Sequence, residues 1–217
     1  EDIEIAGFLA ASLAWGQRPT IIKKCKELMQ LMDYAPHDFV MQAEAQDYER
    51  FCNFKHRTFN SYDCVYFLRS LANIYRHHGG LETVFTRAYQ KHQDMFEVLK
   101  EWYSVFTSLP AEARVLRHIA NVEKGSAAKR VNMFLRWMVR HDGEVDFGLW
   151  KDIPTSALLI PLDLHTGNVS RQLGLLTRNQ NDRKAVEELT ARLREMDPVD
   201  PIRYDFSLFG LGAFGEI

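Results

Sequence analysis

The sequence predicts an all-α fold, a multi-helix domain spanning residues 1–217, and three observations carry that reading. Apolar residues recur at helical spacing through most of the chain, Val- and Ile-rich alternating runs are nearly absent, and Gly, Pro and Asp-Gly breaks separate the segments. Phe8, Leu9, Ala11, Ser12, Leu13 and Trp15 crowd a small-residue apolar stretch, the pattern of a buried helix with close neighbours. Residues 16–19 interrupt it, and Thr20 is placed to cap a second helix through Ile21, Ile22, Cys25, Leu28, Met29 and Met32. Short strands fit residues 51–59. Residues 63–75 have helical spacing and end at His77-His78-Gly79-Gly80, where cationic side chains suit a helix C-terminus. Two amphipathic stretches follow, 81–92 and 95–108, with Pro110 as the next break.

In the second half, Val131, Phe134, Leu135 and Met138 fall at i, i+3, i+4 and i+7, so Lys129 opens a helix that Asp142-Gly143 stops. Pro161 keeps the residue before it extended, and Asp163 is well placed to cap a helix over 164–173, ended by Gly174. Residues 182–196 form a charged amphipathic helix that Asp197-Pro198 closes. No internal repeat, low-complexity tract or separating linker is visible.

At 217 residues, 46% hydrophobic and 26% charged, the composition excludes a disordered or fibrous chain. The longest apolar stretches, such as residues 157–162, are far shorter than a membrane span, so no membrane partner is expected. No signal peptide is legible, but the chain opens on Glu1 rather than Met, which leaves room for a preceding piece. Cys25, Cys52 and Cys64 are too few and too widely spaced for a disulfide framework, a zinc site or an iron–sulfur cluster. A reduced cytoplasm is the expected setting. Net charge is −2, which argues against a general nucleic-acid binder, yet residues 114–141 carry seven basic residues against Glu123 alone, or +6. Such a strip reads either as a solvated helix face or as a phosphate-binding surface.

Two stretches could carry chemistry: Gly125-Ser-Ala-Ala-Lys129-Arg130, followed by Phe134-Leu135-Arg136, and Ile160-Pro-Leu-Asp163-Leu-His165, followed by Arg171, Leu173 and Gly174. Taken alone, Asp163 is a plain N-cap and Lys129 a solvated lysine. The small-residue turn ahead of Lys129 would admit a close backbone or ligand, and its amides could hold a phosphate at the helix start.

Together the two stretches resemble the helix-hairpin-helix superfamily of base-excision DNA glycosylases, which includes endonuclease III and the 8-oxoguanine glycosylases. There a Gly-x-x-x-Lys loop opens a helix, and a (Val/Ile)-Asp-x-His segment with a following Arg and Leu-Gly comes after it. Asp163 lies 34 residues after Lys129, a gap similar to that of the archaeal branch that reads 8-oxoguanine. Residues 7–20, with Trp15-Gly16-Gln17, resemble the family's early helix and its Gln-bearing turn. Residues 205–212 resemble its closing helix, whose small-residue face packs beside the active site. Two departures stand out: Ile119-Ala-Asn-Val-Glu-Lys-Gly125 replaces the usual Leu-Pro-Gly-Val-Gly hairpin, and the C-terminal cluster cysteines are absent.

The resemblance implies a cleft between helical halves, damaged duplex DNA as partner, no cofactor and no metal. It implies that Lys129 attacks the sugar of an extruded nucleotide, such as an oxidised purine, and forms a Schiff base. Asp163 would steady the sugar cation or deprotonate the nucleophile. Gln17, Trp15, Phe134 and His165 would contact the substrate, with Trp137 and Phe214 as further aromatics for stacking. Gly125, Ser126, Arg130, Arg136 and Arg171 would meet phosphate. Two alternatives stand beside it: a catalytically silent glycosylase-like module that binds nucleic acid or protein, and a metal phosphohydrolase of the His-Asp type, since His37-Asp38 and His141-Asp142 both occur.

Overall fold

The computed structural model describes residues 1–143 and 145–215, and among them the chain is helical, with no strand. It forms two compact units, residues 1–90 with 101–119 and residues 91–100 with 120 onward.

The first unit holds α1 (Asp2–Leu13), α2 (Arg18–Leu31), α3 (Pro36–Gln42), α4 (Ser61–His77), most of α5 (Leu81–His92) and the second half of α6 (Met95–Phe106). Its core is aromatic. Phe8 of α1 meets Trp102 and Phe106 of α6 at ring-centroid distances of 5.8 and 5.2 Å, and Phe67 of α4 meets Phe106 at 5.0 Å. Such tilted and edge-on pairs add to the large apolar area each ring buries. At the start of α4, Asn60 accepts from the Tyr62 and Asp63 amides while Asp63 accepts from the Asn60 amide. The box satisfies amides that a helix start leaves without intrahelical partners. Asp63 is fully buried, and Arg114 and His118 approach it at 2.8 and 3.5 Å. Residues 51–59 are not strands. Phe51, Phe54 and Phe59 all point inward, and a tight turn closes on a single bridge between His56 and Phe59, with Arg57 at φ 55°. The irregular spacing of the buried rings suits a turn, whereas a half-buried strand would bury alternate residues.

The second unit holds α7 (Lys129–Val139), α8 (Leu164–Gln172), α9 (Arg183–Met196) and α10 (Asp205–Phe214). Phe134, Leu135 and Met138 bury the apolar face of α7, and Phe134 meets Trp150 edge-on at 5.4 Å. Asp182 caps α9 through the Ala185 amide. Arg194 near the end of α9 donates to the carbonyls of Ser156 and Ala157, fixing the loop that leads to Asp163. Thr155–Ala157 form a single 3-10 turn and residues 158–162 run on without regular structure, with Ile160 and Leu162 buried.

A charged network lies beneath these helices. Arg136 is 1% exposed and donates to Asp146 at 3.0 Å and Asp205 at 2.6 Å. Arg140, one turn on, reaches Asp146, Asp200 and Asp142. Removing one partner from a buried pair leaves an uncompensated charge. Arg136→Met is therefore expected to destabilise the protein by about 3–5 kcal/mol in equilibrium urea unfolding. A loss below about 1 kcal/mol would mean that the network is solvated.

Candidate functional site at the starts of two helices

The turn before α7 builds itself locally. Asn121 accepts from the Glu123 amide, Gly125 takes φ 84°, and Ser126 accepts from the Ala128 amide at 3.1 Å. Gly125 offers its carbonyl to the Arg183 amide at 3.0 Å, which ties the turn to α9. Ala128 sits in the left-handed region at φ 48°, a strained position for a residue with a Cβ, immediately before Lys129. Lys129 is the first residue of α7, and its side chain is 30% exposed.

Asp163 caps α8 and divides its two carboxylate oxygens between different partners. One accepts from the Thr166 amide at 2.9 Å, and the other lies 3.8 Å from the Lys129 ammonium. The aspartate is thus both a cap and the partner of the lysine. The Asp163 carbonyl accepts from the Asn181 side chain at 2.9 Å. Gly167, one turn into α8, is needed there because a Cβ would come within 2.5 Å of the Asn181 amide oxygen.

Helix α10 closes this site from within the same unit by packing along α8. Gly212 permits it: a Cβ there would meet Val169 at 3.0 Å and the His165 carbonyl at 3.1 Å. His165 Nδ1 lies 3.0 Å from the Gly212 carbonyl, which can only accept, so Nδ1 carries the proton and donates. Phe209 meets the His165 ring edge-on at 5.6 Å, and Phe206 lies under the Arg136 guanidinium at 3.7 Å. Both phenylalanines keep more than a third of their surface exposed. Asp205, at the start of α10, has its carboxyl pushed up to about 6, first by burial and further by the charge of Asp163. Arg136 and Lys129 pull the other way, but Arg136 divides its charge between two aspartates.

The remaining expected site residues fall differently. Phe134 is fully buried in the core, so it cannot stack on a base; its helical spacing belonged to the apolar face of α7. Arg136 is spent on Asp146 and Asp205, so its assignment to phosphate is also corrected. Arg171 donates to the Arg178 carbonyl and Asn181, bracing the loop after α8. Arg130 is half-buried, and burial lowers its guanidinium from the usual range. The basic run is not one surface, because Arg114, Arg136 and Arg140 are each paired with aspartates. In the first unit, the half-buried Trp15 ring is held by His56 at 4.8 Å and His118 at 5.9 Å, while Gln17 is exposed at the N-cap of α2 and does not cap it. Trp137 is half-buried and Phe214 is 80% exposed. Among the described residues, no three His, Cys, Asp or Glu side chains group as metal ligands. Asp205, Phe206 and Phe209 were missed as site residues, although the segment containing them was recognised.

The raised Asp205 carboxyl has a testable consequence. The folded chain holds this proton more tightly than the unfolded chain, where an aspartate titrates near 3.8. Stability attributable to Asp205 is therefore full below the unfolded value and falls as pH rises through about 6. Unfolding free energies of wild type minus those of Asp205→Asn should decline across that window. A difference that rises with pH would mean that Arg136 outweighs burial.

No curated protein and no solved structure matches the chain. A family model does match, over residues 1–214, and the chain belongs to that family, described as a protein of unknown function, DUF2400.

Proposed function

We propose that this protein is a base-excision DNA glycosylase that removes a damaged base and cleaves the strand through Lys129. The observation that carries the reading is the approach of Lys129 and Asp163 to 3.8 Å, with both side chains open to solvent in part. A nucleophilic amine and a carboxylate within reach of one sugar are what cleavage of an N-glycosidic bond through a covalent intermediate requires. The exposed faces of Phe206 and Phe209 lie on the neighbouring helix, where an extruded base needs an apolar surface to replace its lost stacking.

In this reading Asp163 accepts a proton from the Lys129 ammonium through its oxygen facing the lysine. The freed amine attacks the anomeric carbon, the N-glycosidic bond breaks, and its electron pair leaves with the base. The base takes up the proton that Asp163 held. The ring opens as a proton of the attached nitrogen passes to the ring oxygen, giving a Schiff base. Asp163, ionised again, takes a C2′ proton as the 3′ phosphate leaves, and water then adds to the imine and frees the lysine. Once its proton has gone to the base, Asp163 is a carboxylate again and steadies the positive charge of the sugar–lysine adduct. A second reading, a silent module that binds without cutting, draws on one observation. The segment that replaces the expected hairpin is a short 3-10 turn, Val122–Lys124, capped by Asn121.

Incubation with duplex carrying 8-oxoguanine or another oxidised base, followed by borohydride, is expected to trap a covalent protein–DNA adduct. Lys129→Gln should abolish it. Asp163→Asn should retain the cap on α8, since Asn caps well, yet lower single-turnover base release by at least about a hundredfold. A wild-type chain that traps and releases nothing across oxidised, alkylated and deaminated bases would leave only the silent module.

A further inference from the structure

The outer face of α2 carries a surface that the Lys129 chemistry does not use. Among the residues of this helix only Leu28 is fully buried. Arg18, Ile22, Lys26 and Gln30 follow one another at i+4 spacing along its exposed side, with Pro19 and Lys23 beside them, and together they line an open groove of about 670 Å³. Glu27 is the one acid in that lining, and Lys24 neutralises it at 2.8 Å. Arg18, Lys23 and Lys26 make no hydrogen bond or ion pair to any described residue, so three cations face outward without internal compensation. Their alignment on a single helix in a chain of net charge −2 contrasts with the run at 114–141, whose arginines are largely consumed by aspartates.

We infer that this face of α2 binds the phosphate backbone of duplex DNA, with Arg18, Lys23 and Lys26 each meeting a phosphate. With a rise of about 1.5 Å per residue, Arg18 and Lys26 stand about 12 Å apart along the helix. One strand of a duplex presents a phosphate about every 3.4 Å of axis, and because the strand also winds around that axis its neighbouring phosphates lie roughly twice as far apart, so the three cations span about three phosphates. The lining contains no aromatic ring on which an unpaired base could stack, which disfavours single strands. Protein-binding surfaces are depleted in lysine and organised around buried aromatic or arginine anchors, whereas here the apolar residues are Pro19 and a half-exposed Ile22. The inference rests on the nucleic-acid reading above, but not on cleavage.

The test is fluorescence anisotropy of the full chain with an undamaged duplex, titrated at several salt concentrations. The double variant Lys23→Gln/Lys26→Gln changes two exposed side chains and should fold as wild type does. It is expected to lower the slope of log affinity against log salt by about 2, with weaker binding at every sequence tried, and Lys23→Arg/Lys26→Arg should restore the slope. An unchanged slope in the Gln variant, or no duplex binding by wild type at low salt, overturns the inference. So does a wild-type chain that ignores duplex but binds polyglutamate in a Lys23- and Lys26-dependent way, since the surface would then serve an acidic protein segment. Borohydride trapping reads the glycosylase proposal separately. A chain that binds through α2 but traps nothing loses that proposal and keeps this one. A chain that traps with an unchanged salt slope does the reverse.

Discussion

Arg136 is buried to 1% exposure between Asp146 and Asp205, with Phe206 against its guanidinium face. Through it the geometry of the second unit closes into a circuit. Lys129 opens α7, and Arg136, two turns later on the same helix, holds the first residue of α10. Helix α10 lies on α8 through Gly212 and the bond to His165, and α8 begins at Asp163, which returns to Lys129 at 3.8 Å. Each link is short and directional. The lysine–aspartate distance is therefore set by the packing of three helices and not by the two flexible side chains alone.

Buried ion pairs are a weak source of stability, because desolvating both charges consumes much of their attraction. An apolar residue in place of Arg136 could fill the same volume, but it could not fix the angle at which α10 leaves the network. The planar guanidinium can, because its donors point in fixed directions. The arrangement also explains why Asp205 stays easier to protonate than a surface aspartate. It is buried, it shares its counter-ion, and it lies within the field of Asp163. A site built this way gathers carboxyl groups around one half-buried lysine.

What was legible in the sequence was what is local. Asp163 sits at its cap and Lys129 opens its helix, because a cap and the apolar spacing behind it are set within a few residues. Thr20 is the exception. Helix α2 already begins at Arg18 with Pro19 in its first turn, a position proline favours, so Thr20 lies inside the helix. Long-range pairing was not legible. Arg114 finds Asp63, and Arg136 finds Asp205, across most of their units, and counting charges along residues 114–141 could not separate these arginines from free ones. Asp205 escaped notice because an acid in a first helical turn is ordinary. Only its burial beside Arg136 sets it apart. The exposed stripe of α2 was written in the spacing of Arg18, Lys23 and Lys26, but its meaning depended on knowing which face of the helix the core had taken.

In the proposed reaction Lys129 is a reactive amine held at its working distance by Asp163, and not half of an ordinary surface ion pair. The most direct measurement is to reduce the protein with borohydride in the presence of duplex containing an abasic site, digest it, and locate the added sugar remnant by tandem mass spectrometry. If Lys129 is the nucleophile, the remnant appears on Lys129 alone. Its appearance on another lysine or on the N-terminal amine, with Lys129 unmodified, would remove Lys129 from the reaction.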